Sequence, residues 1–126
     1  TPNTFEFALL TGKEVRELPH EERIKLVQQE AARLQTTILL KAAIDIASDG
    51  NEIITNETGS PYMSGGGLGD TLSGIIGALL ARGLNPVTAA AAGAYINGKA
   101  GELAAAKYKE SLCATDLIDA IPEVIN

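Results

Sequence analysis

Chemistry in this sequence concentrates in the run Ser64-Gly65-Gly66-Gly67-Leu68-Gly69-Asp70, which leads straight into an apolar, helix-patterned segment. Glycines lack Cβ atoms, so the backbone can approach a ligand closely and adopt φ > 0. The first turn of the following helix presents N–H groups with no intrahelical acceptor, and the helix dipole adds partial positive charge there. Together these features predict a cradle for phosphate oxygens or a developing oxyanion. Asp70 has two readings. It is a preferred helix-capping type, and beside a bound phosphate it is also a base able to take a proton from an attacking hydroxyl. No Lys-Ser/Thr pair follows the glycines, so this is not a P-loop, and the spacing is not that of a dinucleotide-binding turn.

Other polar residues carry weaker signals. Lys41, at the end of an apolar run, reads as an ion-pair partner of Asp45, as a solvated residue, or as a nucleotide contact. Asn97 lies between Ile96 and Gly98 in an Ala-rich helix and is expected to make a buried structural hydrogen bond. Tyr62 and Met63 read equally as stacking residues or as core filling. His20 opens a charged helix as a solvated residue, and Cys113 is expected to be inert and partly buried.

The elements that must position these groups follow from periodicity. Glu6 to Leu10 reads as one helical turn. His20 to Gln35 is helical, with Ile24, Val27, Ala31 and Leu34 at spacings of three and four. Thr36 to Lys41, Ile44 to Ser48 and Glu52 to Asn56 read as strands, with Asp49-Gly50 as a hairpin turn. The stretch from Asn56 to Gly69 holds five glycines and a proline in fourteen residues, so it is a loop. Helices are predicted from Asp70 to Arg82, ending at Gly83, and from Pro86 to about Lys109. A last short helix is expected near Asp116 to Ala120, capped by Thr115 and broken by Pro122.

This is an α/β arrangement, and 126 residues fit one domain. With 45% hydrophobic residues and 4% aromatic ones, the core must be built from Ala, Leu, Ile and Val. The net charge of −6 argues against a general nucleic-acid binder, yet backbone N–H groups can hold a small anion without Lys or Arg. A single cysteine excludes an internal disulfide and a zinc-site pattern. The sequence shows no signal-peptide pattern and no apolar stretch of ~20 residues suited to a membrane span, and a cytoplasmic location is the default expectation.

The segment Asn56 to Gly74 (NETGSPYMSGGGLGDTLSG) resembles the signature of the ADP/ATP-dependent NAD(P)H-hydrate dehydratases, ribokinase-like enzymes that repair hydrated nicotinamide cofactors. Thr1-Pro2-Asn3 through Glu6-Phe7 and Leu10-Thr11-Gly12 is similar to the family's TPH-x-x-E-F-x-x-L-T-G segment. Leu40 to Asp45 resembles its LKG-x-x-D strand end. Ala90 to Gly101 and Ala114 to Pro122 are similar to its closing helices. The likeness runs along essentially the whole chain, in order, but to the C-terminal half of the family domain only.

The resemblance implies a ribokinase-like fold, here the C-terminal half of a layered α/β/α domain, with residues 1–126 forming a single partial domain. It implies that ADP or ATP, accompanied by Mg²⁺, drives dehydration of NADHX and NADPHX through phosphate transfer to the substrate hydroxyl and phosphate elimination. Carried over residue by residue, Asp70 is the base and a substrate contact. Gly66, Gly67, Leu68 and Gly69 form the anion hole, Lys41, Ala42, Ala43, Ile44 and Asp45 line the nucleotide site, and Asn3 occupies a substrate-contact position. No metal-ligand cluster is visible. The chain departs from the family pattern at Phe5 (glycine), Ala42 (glycine), Leu68 (threonine) and Asn3 (histidine), so the nucleotide half is better preserved than the substrate half. The expected partners are the nucleotide, the hydrated cofactor, and either further copies of the chain or a complementary N-terminal half, without which the chain is expected to bind nucleotide but turn over little. A ribokinase-like small-molecule kinase and a noncatalytic adenine-nucleotide module are the alternatives.

Overall fold

The computed structural model describes all residues, Thr1–Asn126. Along the chain run α1 (Thr4–Thr11), α2 (His20–Leu34), β1 (Ile38–Leu40), β2 (Asp45–Ser48), β3 (Ile53–Asn56), α3 (Leu68–Ala81), α4 (Pro86–Tyr108), a short 3-10 turn and α5 (Ala114–Ile125). They form two compact units, residues 1–56 with 85–91, and residues 57–84 with 92–126.

In the first unit the strands form an antiparallel meander in the order β1-β2-β3. Ile38, Leu40 and Ile46 share a core with Phe7, Val15, Val27 and Ala31, so α2 covers this face of the sheet. Leu39 and its cross-strand partner Ala47 point to the other face and are buried too. A strand buried on both faces reads as a continuous apolar run, as Ile38-Leu39-Leu40 does. The β2–β3 connection spans four residues, because Ser48 pairs with Ile53. It is closed by the Asp49 carboxylate, which accepts the N–H groups of Asn51 (2.9 Å) and Glu52 (2.8 Å). At Gly50, φ is +97° and a Cβ would come within 2.9 Å of Ala32, so only glycine fits.

The helix α1 is longer than one turn because Asn3 and Glu6 form a capping box: Asn3 Oδ1 accepts the Glu6 N–H and Glu6 Oε2 accepts the Asn3 N–H, both at 2.8 Å. In α2 the apolar repeat faces the core as its spacing predicts. Glu30 lies outside that apolar repeat yet is buried. It is 1% exposed and held between Arg33 (2.9 Å) and Lys13 (3.2 Å).

In the second unit α3 packs on α5, and Leu68, Ala100, Ala104, Ala105, Leu112, Leu117 and Ala120 form the core. The helix α5 is capped by Cys113, not by Thr115, and starts at Ala114. Asp116 reaches back to the Cys113 N–H (2.9 Å), which fixes the cap there, and Cys113 is exposed rather than partly buried. Pro122 does not end this helix. A proline removes one backbone hydrogen bond, and Ile121 and Val124 on either side pack onto the core and hold the last turn. No helix is long and apolar enough to cross a membrane.

Candidate active site

The glycine run ends in a left-handed residue. Gly67 (φ +90°) is the N-cap of α3, which therefore begins at Leu68, two residues earlier than periodicity alone predicts. The first intrahelical bond is Thr71 N–H to Gly67 O at 3.0 Å, leaving the N–H groups of Leu68, Gly69 and Asp70 at the helix end without intrahelical acceptors. No side chain caps this end. Asp70 sits in the first turn, exposed, and so is not the cap. The four predicted cradle residues and Asp70 thus fall on one turn of chain.

This turn is fixed from behind. Leu68 is buried in the core. Thr71 Oγ1 lies 2.8 Å from Leu68 O and 2.7 Å from the amide of Asn97, whose nitrogen is 3.5 Å from Leu68 O. Asn97 is buried and structural, as its place in the apolar helix predicts. A Cβ on Gly67 would approach the Ala114 Cβ to 3.0 Å, whereas one on Gly66 meets nothing within 4 Å. The first glycine is required by the fold; the second leaves open space.

In the other unit, Asn3 and Lys41 are brought together. They form a parallel bridge, with the Lys41 N–H donating to Pro2 O at 2.8 Å. Lys41 Nζ lies 3.8 Å from Glu6 Oε2. Glu6 was missed as a member of this group, though Asn-x-x-Glu ahead of an apolar helix is a legible signal. Ala42 to Ile44 form a bend between β1 and β2, and Asp45 closes it. Its carboxylate accepts the Ala42 N–H (3.1 Å) and the Asn56 side-chain amide (3.0 Å). Burial pushes the Asp45 carboxyl above its ordinary value; the bonds from Asn56 and Ala42, and the charge of Lys41, oppose this. Asp45 therefore shapes the bend, in which Ala43 is exposed and Lys41, Ala42 and Ile44 are half-buried.

A family model described as NAD(P)H-hydrate dehydratase matches residues 1–123. The chain belongs to the NAD(P)H-hydrate dehydratase family. It is 46% identical over 128 residues to the bifunctional NAD(P)H-hydrate repair enzyme Nnr of Hyperthermus butylicus, matching all of this chain and 24% of that protein. It is 43% identical over 125 residues to the ADP-dependent (S)-NAD(P)H-hydrate dehydratase of Cenarchaeum symbiosum, covering 99% of the chain and 43% of the relative. Among solved structures, the ADP/ATP-dependent NAD(P)H-hydrate dehydratase of Bacillus subtilis, co-crystallized with ATP/Mg²⁺, superposes with a TM-score of 0.87 at 33% identity. That match covers 98% of this chain and 46% of the other. A ribokinase-like superfamily protein from Enterococcus faecalis gives 0.78 at 30% identity, covering 98% and 42%. The fold is ribokinase-like α/β, and the chain spans between a quarter and a half of the length of these relatives.

Proposed function

We propose that this chain is the C-terminal half of a dehydratase domain that uses ADP or ATP to convert NADHX and NADPHX to NADH and NADPH. The observation that carries the reading is the left-handed Gly67 cap, which leaves the N–H groups of Leu68, Gly69 and Asp70 at an uncapped helix end with the Asp70 carboxylate exposed beside them. Such an end favours negative charge. In this reading Gly66, Gly67, Leu68 and Gly69 hold the phosphoryl group in transfer. Asp70 takes the proton of the substrate hydroxyl as its oxygen attacks phosphorus and the bond to the nucleotide breaks. The C–O bond then breaks and inorganic phosphate leaves with the oxygen, while the adjacent ring carbon gives up a proton to solvent, its C–H electron pair forming the ring double bond. For ADP the products are NAD(P)H, AMP and phosphate.

In the first unit, the family resemblance assigns Lys41, Ala42, Ala43 and Ile44 to the nucleotide, with Asp45 holding their bend, and Asn3 to the substrate through whatever its cap on α1 leaves accessible. No group of three or more His, Cys, Asp or Glu side chains that could hold a metal exists in the chain. Mg²⁺ would arrive with the nucleotide and neutralise part of its phosphate charge. The exposed apolar side chains Phe5 (70%) and Leu9 (72%), one helical turn apart on α1, are assigned to contact with the other half of the domain, which the longer relatives carry.

The test is a thermal-unfolding series with ADP, ATP and NADHX, followed by product analysis in the presence of the complementary half. A ligand at a hundredfold excess over its Kd stabilises by about 2.7 kcal/mol. NADH and AMP formation that falls by at least about a hundredfold in Asp70→Asn supports the proposal, given the ~10²–10⁴-fold contribution usual for a positioned base. A stable phosphorylated product in place of NADH identifies a small-molecule kinase instead. Nucleotide binding without turnover, unaffected by Asp70→Asn, identifies a noncatalytic module.

A further inference from the structure

Residues 58–63, the approach to the glycine run, are bedded on α4 by three features that composition does not announce. Thr58 Oγ1 lies 3.5 Å from Ala94 O and 3.4 Å from Tyr95 O, directly over Gly98, where a Cβ would come within 2.0 Å of it. Met63 Sδ lies over Gly101, where a Cβ would approach to 2.1 Å. Between these two seats, the Gly59 N–H donates to Glu102 Oε1 at 3.0 Å, and Lys99 Nζ donates to the other oxygen at 2.8 Å. A groove of about 370 Å³ opens beside this middle stretch, lined by Gly59, Ser60, Pro61, Tyr62, Glu102 and Lys109. Packing therefore backs the segment at its two ends and is interrupted along the groove, where the Glu102 carboxylate holds the backbone.

We propose that Glu102 is a positioning residue for the phosphate cradle: its carboxylate sets the place of Gly59, and through the short turn 60–63 the place of residues 64–67. The inference rests on the nucleotide reading of that loop. The turn transmits position because it is itself bonded, with Met63 N–H to Ser60 O at 2.9 Å and Tyr62 N–H to Ser60 Oγ at 3.3 Å. A carboxylate accepting a backbone N–H makes a shorter and stronger bond than a neutral acceptor, and an error of about 1 Å in a group that holds a reacting phosphate can cost on the order of a hundredfold. Lys99 lies one turn away on the same helix and keeps the second carboxylate oxygen engaged, so Glu102 presents the first oxygen to Gly59. Both partners of this ion pair are about two-fifths exposed (41% and 36%). Its effect is therefore orientation rather than fold stability.

The experiment compares the full chain with Glu102→Ala and Glu102→Gln. It reads amide hydrogen exchange across residues 59–67 and the calorimetric Kd for ADP. Glu102→Ala is expected to speed exchange and to raise Kd by about tenfold, as loss of one charge-assisted bond would. Glu102→Gln keeps an oxygen for Gly59 and is expected to stay within about threefold of the wild type in both. Unchanged exchange and Kd in Glu102→Ala overturn the inference. So does faster exchange with an unchanged Kd, since that describes a merely structural tie. A wild-type chain that binds no ADP overturns the nucleotide reading itself, and with it the link from Glu102 to a ligand; the exchange data then still show whether Glu102 holds the loop.

Discussion

Gly67→Ala and Gly66→Ala are one methyl group each, placed on neighbouring residues, yet the structure separates their effects. At Gly67 the backbone is left-handed at φ +90°, a conformation that costs an L-residue roughly 1–2 kcal/mol. The new methyl would also meet the Ala114 Cβ at 3.0 Å, inside ordinary contact, and overpacking of this kind adds about 1 kcal/mol. The sum is about 2–3 kcal/mol. For a chain of this length, ~3–5 °C of Tm per kcal/mol gives a fall of roughly 6–15 °C. At Gly66, φ is not positive and a Cβ meets nothing within 4 Å, so stability should stay within about 0.5 kcal/mol of the wild type. The ligand response separates the pair again. The Gly66 methyl projects into the space assigned to phosphate, so a tenfold loss of affinity would cut stabilisation by ADP at a hundredfold excess from about 2.7 to about 1.4 kcal/mol. The assay is differential scanning fluorimetry with an ADP titration. A Gly67→Ala protein melting within a degree of the wild type would refute the backbone argument. A fully retained ADP shift in Gly66→Ala would refute the cradle.

Three further outcomes follow from charges described above. Arg33, aided by Lys13, holds the Glu30 carboxyl below its ordinary value of 4.5 despite burial. Its contribution is therefore fully present above that value and lost as pH falls through the lower folded one; urea midpoints from pH 3 to 6 should show an acid slope that Glu30→Gln flattens. Asp45 has the opposite sign. Its folded value is raised from 3.8, so its ionised form opposes folding, and the stability it contributes when protonated is present below 3.8 and lost as pH rises through the folded value. Asp45→Asn leaves one oxygen where two now serve the Ala42 N–H and the Asn56 amide and should loosen the bend, weakening ADP binding by about tenfold, while the exchanged pair Asp45→Asn with Asn56→Asp restores a donor facing a carboxylate and should recover most of the loss, by calorimetry.

Much of this architecture can be read from residue spacing. The α2 stripe, the all-apolar β1 and the Gly83 stop are local signals, and apart from α5, which runs five residues past its expected end, each element forms within two or three residues of its predicted place. The candidate cradle is a local feature: its five consecutive residues, Gly66 to Asp70, share one turn of backbone. What escaped depends on partners distant in sequence. Glu30 reads as a surface residue until Lys13 is placed beside it. Gly98 and Gly101 carry no local signal of their role, which is to leave the space that Thr58 and Met63 occupy. Capping geometry at Asn3 and Cys113 was legible in principle, because both have an acidic residue three positions on. At Cys113 the residue type, a poor cap by propensity, concealed it.

Those α4 glycines also bear on how the chain acquires its structure. Each costs a helix about 0.8–1 kcal/mol relative to alanine, and Gly93, Gly98 and Gly101 fall within nine residues of one another. The middle of α4 is accordingly a weak helix in isolation, completed when residues 58–63 settle on it. Helix and loop should then consolidate together and late: destabilising substitutions at Thr58 or Met63 are expected to speed unfolding while leaving the refolding rate almost unchanged. The element that supports the loop is, in kinetic terms, made by it.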